Sequence, residues 1–284
     1  GNDNGIFAFG HAGGTATGVS NIVSNVGVVA TDVSAVGSAR WAGGGCEYGG
    51  DKGIFGYGYS PALGQSSLSN LVSNTGVIGT DVTGVGTGRS SMSACSFGGD
   101  QGIFYAGNGP VGMTNIVSNA GVVATDVSGV GTAVQSGAGC EYGTDTGILA
   151  YGNSGSDSSL SHLVSTVGVV SADVAGVGTA RDKLAACTYS YDKGIFAYGQ
   201  TASVVSLSNL VSNTGVIATD VTGVGTARQQ LAATQYGQDK GIFAYGAPNG
   251  EVSMSNLVSN AGVIATDTTG VGSVRQAPMA CSYN

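Results

Sequence analysis

SNTGVIATDVTGVGTAR occupies residues 212–228 and SNTGVIGTDVTGVGTGR occupies residues 73–89, with two of 17 positions different. Looser copies begin at Ser24, Ser118, Ser165 and Ser259, so the phrase occurs six times in 284 residues. A second phrase keeps the same beat. GIF begins at Gly5, Gly53, Gly102, Gly194 and Gly241, with GIL at Gly147, at spacings of 48, 49, 45, 47 and 47. Periods of this size belong to solenoids or propellers, and the content of one unit decides between them.

In the unit at residues 184–228, LAACTY is followed by the turn SYDKG, then IFAYG, a variable stretch, SLSNLVS, the turn NTG, VIATD and VTGVGTAR. That is four strand-length runs between turn signals, with no helical period. Asp-Lys-Gly and Asn-Thr-Gly both suit a three-residue hairpin loop, a type I turn closed by Gly in the left-handed region. GVIAT and GIFAY are apolar on both faces, so both faces of the sheet must be covered. Packing sheets around an axis does this and leaves only short protected edges. The expected fold is therefore all-β: one six-bladed β-propeller domain over residues 1–284, with four-stranded antiparallel blades. PMACSYN at the C-terminal end lacks a partner strand and GNDNGIFAFG at the N-terminal end lacks a predecessor. Pairing these two strands would close the ring.

Composition agrees with this fold class. Hydrophobic residues are 42% and Gly numbers 52, which is poor for helices and rich in turn formers. No apolar run approaches the roughly 18 residues of a membrane helix, so membrane insertion is not expected. The net charge of −8 looks like a partner signal until the carboxylates are placed. Asp32, Asp81, Asp126, Asp173, Asp220 and Asp267 share one repeat column; Asp3, Asp51, Asp100, Asp145, Asp192 and Asp239 share another. Turn chemistry used six times sets the charge, and no basic patch exists to neutralise the phosphates of a nucleic acid.

Arg, a small apolar strand, Tyr-Gly, the aromatic strand GIFAYG and an Asp-containing turn together resemble the kelch β-propeller repeat over the whole chain. The kelch Gly-Gly pair is reduced here to one Gly, and the spaced Tyr and Trp of the later strands are absent. The wording SNLVSNTGVIATDVTGVGTAR is also similar to repeat arrays in structural proteins of tailed bacteriophages, aquatic ones especially. That resemblance implies an extracellular virion component, a tail fibre or surface adhesin, whose partners are other virion or surface proteins and a host-surface glycan.

The remaining chemistry divides into columns and exceptions. Cys46, Cys95, Cys140, Cys187 and Cys281 share a column with Thr234. Five equivalent positions cannot pair off, and spacings of 45 to 49 without a Cys-x-x-Cys pair make no zinc site, so buried core thiols and no metal are expected. Arg40, Arg89, Arg181, Arg228 and Arg275, with Val134 in the third unit, are either a ring that binds an anion or structural ties to Asp or carbonyl groups between blades. An Asx-turn explains the repeated ATD carboxylate. Glu47 and Glu141 stand two units apart and are not expected to converge; His11 and His162 are isolated events. No cofactor and no enzymatic site are expected, although a propeller hydrolase stays open as an alternative, as does a secreted or cell-surface lectin.

The six copies disagree most between the second and third strands, and just after the Arg column, at Trp41, Ser90, Gln135, Asp182, Gln229 and Gln276. In a meander both places emerge on one face, where a binding surface belongs. The candidate binding residues are Trp41, the single Trp, with Tyr59, Gln65, Asn108 and Asn153. A pyranose ring stacks its C–H groups on such aromatics while amides meet its hydroxyls.

Overall fold

A computed structural model describes residues 3–34, 36–109 and 111–284. Expectations that fall on Gly1, Asn2, Ala35 and Pro110 lie outside the described residues. Among those described there are strands and turns and no helix, arranged as six small antiparallel sheets and one short hairpin. The sheets are numbered here by their second strands: Asn4–Ala8, Lys52–Ser60, Gln101–Tyr105, Thr146–Asn153, Lys193–Ala197 and Lys240–Ala244. These strands carry GIF, and residues such as Ile195, Phe196 and Ala197 are 0% exposed, so both faces are covered. The first strands, of which Ala185–Tyr189 is one, are short and rich in Gly and Ala.

The two ends of the chain meet in sheet one. Met279–Tyr283 pairs antiparallel with Asn4–Ala8, Cys281 opposite Ile6. Met279–Tyr283 also lies beside Gly44–Tyr48 of sheet two and Ala232–Tyr236 of sheet six. Two series of backbone hydrogen bonds run from sheet to sheet. Ser91 N–H donates to Ala42, Ser136 to Ser91, Lys183 to Ser136, Gln230 to Lys183, Ala277 to Gln230 and Ala42 to Ala277, all at 2.6–3.0 Å. At the other end of the strands Gly49 donates to Asp100, Gly98 to Asp145, Gly143 to Asp192, Ser190 to Asp239, Gly237 to Asp3 and Asn284 to Asp51.

The invariant Gly of GIF has a packing cause. A Cβ at Gly102 would overlap Cys46 Sγ, and Gly53, Gly147, Gly194 and Gly241 stand likewise against Cys281, Cys95, Cys140 and Cys187. Gly5 meets Thr234 in the same way. The five thiols are free and buried, and burial pushes each upward from the usual thiol pKa. A small sulfur opposite a bare backbone is what lets adjacent sheets approach closely.

Two sequence expectations need correction. Five of the six sheets have three strands, not four; only Val127–Ser128 forms a fourth, in sheet three. Elsewhere the fourth run touches the third strand through isolated bridges such as Val211↔Ile217 and Ser208↔Val221. Beside those bridges Asn209 Nδ2 donates to Ala218 O at 3.0 Å and to Asp220 Oδ1 at 2.9 Å, so a side chain ties the fourth run to the third strand where the backbone ladder is interrupted. The first hairpin also turns earlier than expected. Tyr189 pairs with Lys193, so the loop is Ser190, Tyr191 and Asp192, with Ser190 and Tyr191 at φ 54° and 70°. The NTG loop does have its Gly in the left-handed region, Gly215 at φ 76°.

Candidate functional site

The columns come first, because they show what is already spoken for. Each repeated Asp reaches back to the preceding unit instead of forming an Asx-turn. Asp220 accepts from Thr179 N–H at 3.0 Å and from its hydroxyl at 2.6 Å; Asp32 accepts from Ser273 in the same manner across the chain ends. Burial raises these carboxyls, but the Ser/Thr and Asn hydrogen bonds and the nearby Arg outweigh it and hold them below the usual carboxylate range. At Gly178, φ 73°, a side chain would fall on Asp220 Oδ1, which explains the Gly of GVGT.

The five Arg side chains are almost wholly buried. Arg228 Nε donates to Tyr245 O at 2.9 Å, Nη1 to Thr226 O at 3.1 Å and Nη2 to Asn256 Oδ1 at 2.7 Å. Its guanidinium also stacks 4.3 Å above the Tyr198 ring of the sheet before. The fork to carbonyls ties neighbouring sheets, and the nearby carboxylate belongs to the next unit: Arg40 Nη1 stands 3.8 Å from Asp81, not beside Asp32. Between sheets three and four the pattern changes twice together. Val134 replaces Arg, and His162 replaces the Asn that Arg would grip. His162 Nε2 lies 2.8 Å from Asp173 and its ring faces Tyr105 at 5.4 Å. His162 is thus a compensation, not an isolated event.

Glu47 and Glu141 do converge, contrary to expectation. All six first strands face one cavity of about 60 Å³, and positions 47, 96, 141, 188, 235 and 282 line it. The first strands of all six sheets line this cavity, which brings positions 47 and 141 to one space although two units separate them in sequence. Burial and the charges of Glu47 and Asp145 push Glu141 to about 8; burial raises Glu47, which Ser282 partly opposes by hydrogen bonding. The folded state therefore holds Glu141 protonated where the unfolded chain would release the proton. Its contribution to stability is full below about 4.5 and is lost as pH rises toward about 8. Denaturation midpoints should fall across that window, at up to about 1.4 kcal/mol per pH unit, and Glu141→Gln should flatten the slope. A profile unchanged by the substitution would exclude Glu141 as its source.

The variable positions meet at the far ends of the second strands. Trp41 bridges Tyr59, Gln135 bridges Asn153, Asp182 bridges Gln200, Gln229 bridges Ala247 and His11 bridges Gln276. Asn108 N–H donates to Ser90 O at 2.7 Å. Of the expected binding residues, three come together. Trp41 and Tyr59 stack edge to face at 5.1 Å, and Tyr59 stands opposite Gln65 in the strand register. Directly opposed residues project to one side of a sheet, so the three form a row. Asn108 is exposed in the turn that follows Gln101–Tyr105, beyond a different sheet from the one that carries Tyr59 and Gln65. Asn153 is used by its own loop: its Oδ1 accepts from Gly155 N–H at 2.9 Å, and Nδ2 donates to Asp157 at 3.3 Å. These two bonds leave one N–H and one lone pair of the carboxamide, on a half-buried side chain.

Sequence reasoning missed three neighbours. The His11 ring packs 4.9 Å from Trp41, and His11 Nδ1 lies 3.2 Å from Glu251 Oε1 and 3.3 Å from Gln276 Nε2. The signal was their singularity, since His11, Trp41 and Glu251 each break the repeat in consecutive units around the chain ends. No family model and no curated protein matches the chain.

Proposed function

We propose that the six sheets are blades of one closed six-bladed propeller spanning residues 1–284, and that it is a non-enzymatic binding module whose variable face meets a glycan. Support for closure comes from the two backbone series that return to their first members, Ala42 to Ala277 and Asn284 to Asp51. Support for the non-enzymatic reading comes from the columns, whose Asp and Arg groups are engaged in ties between sheets. The observation that carries the binding reading is the row of Trp41, Tyr59 and Gln65, an exposed-edge aromatic shelf with an amide beside it. It is unique among six otherwise matched units, and this fits one ligand site better than six.

The likeness to kelch repeats and to arrays of tailed-phage virion proteins favours an extracellular particle, with the module as a tail-fibre or adhesin component. Val28, Val77, Val122, Val169, Val216 and Val263 are 62–64% exposed in every unit. An apolar column kept at the surface suits packing against neighbouring structural proteins. Glycan-array binding by the wild type, with at least about tenfold loss in Trp41→Ala, is the expected result, because stacked aromatics contribute on the order of 1 kcal/mol or more beyond area burial. Binding that survives the substitution removes Trp41 from the site. No binding to any glycan leaves the structural role alone.

A further inference from the structure

Beside the aromatic shelf lies a cleft of about 370 Å³, lined by Gln229, Ala247, Pro248, Asn249, Gly250, Glu251 and Gln276. Its volume falls at the lower end of small-molecule pockets and has room for one pyranose ring. His11 links cleft and shelf from behind the lining, since it touches Glu251 and Gln276 of the cleft and also Trp41. We propose that this cleft is a second subsite of the glycan site, and that it selects a sugar unit carrying a free amine. The inference rests on the glycan reading above and adds to it the chemical class of the ligand.

Gln229 Oε1 is buried and has no hydrogen-bond partner among the described residues. A buried acceptor left unpaired is costly, and a turn of the Gln229 carboxamide toward a donor in the cleft relieves that cost. Only Oε1 of Glu251 is engaged, by His11, and the Glu251 side chain keeps 21% of its exposure. The lining contains no Lys or Arg to supply donors or to neutralise an acid. The nine cationic side chains are elsewhere. Five are the buried Arg column; Lys52, Lys193 and Lys240 sit at the opposite hairpins, and Lys183 is held by Gln200 Oε1 at 3.0 Å. An ammonium offers three donors and no acceptor, which suits the Glu251 carboxylate and the amide oxygens of a lining without Lys or Arg; a carboxylated or sulfated sugar meets the Glu251 charge instead. The neighbouring ring of the same glycan would then lie on Trp41 and Tyr59.

The test compares a tetramer of glucosamine with its fully N-acetylated counterpart at pH 6, by titration calorimetry against the whole chain. The free-amine tetramer should bind at least about tenfold more tightly, the range of a hydrogen bond to a charged group. Glu251→Gln, which keeps the shape of the side chain, should bring its affinity down to that of the N-acetylated chain. Equal binding of the two tetramers, or a preference that survives Glu251→Gln, overturns the inference. If other glycans bind and depend on Trp41 while the amine gives no advantage, the cleft assignment fails and the shelf stands. If no glycan binds at all, both fall together.

Discussion

A chain shortened by its last ten residues should lose cooperative folding everywhere, not in one sheet. The missing segment includes Met279, Cys281 and Tyr283, which are 2–5% exposed, as well as Arg275. Burying each of three such side chains contributes roughly 2 kcal/mol, so their removal takes about 6 kcal/mol from a fold whose total stability is on the order of 5–15 kcal/mol. The damage does not stop at sheet one. Asn4–Ala8 loses its inner partner, Asp51 O and Gln230 O lose the donors Asn284 and Ala277, and the wall against Gly53 disappears. Sheets that pack only on neighbours share their stability through such contacts, so two neighbours are weakened at once. Circular dichroism through a denaturant series should show a broad or absent transition. A sharp transition at the wild-type midpoint would mean that the end strands do not hold the assembly together.

Much of this fold was legible because it is written six times. The period gave the number of sheets, and the small, aromatic and polar columns gave the first three strands of each. What the period could not show was which unit a repeated group touches. Asp81 looks equally able to serve its own turn or the unit before it; that Ser38, 43 residues earlier, is the partner depends on how sheets pack. Nor does the period show that Glu47 and Glu141 line one cavity, which only the packing of the first strands creates. The fourth run was legible as an extended segment but not as two isolated bridges to the third strand, Val211↔Ile217 and Ser208↔Val221, with Asn209 tying the stretch between them. At the candidate site the aromatic row was legible from the singular Trp. His11 and Glu251 were not, because 240 residues separate them and only the meeting of the chain ends makes them neighbours.

The joint between sheets three and four offers a natural experiment on the arginine ties, and it can be copied elsewhere. Arg181→Val alone should cost about 3–5 kcal/mol, the range for removing one member of a buried charged network. It leaves Tyr198 O, Thr179 O and Asn209 Oδ1 without their donor, and strips the cation from the face of Tyr151. Adding Asn209→His should restore at least half of that loss. The double variant rebuilds the Val134 and His162 arrangement, in which an imidazole fills the space against the preceding Tyr ring and meets the Asp that Asn otherwise holds. Asn209→His alone should be harmful, since the ring would then compete with the guanidinium for one volume. The two single costs therefore should not add, and a double-mutant cycle by urea denaturation should give a coupling of about 1–3 kcal/mol. Additive losses would mean that Val134 and His162 stand together by accident, and that the third unit tolerates its missing Arg for some other cause.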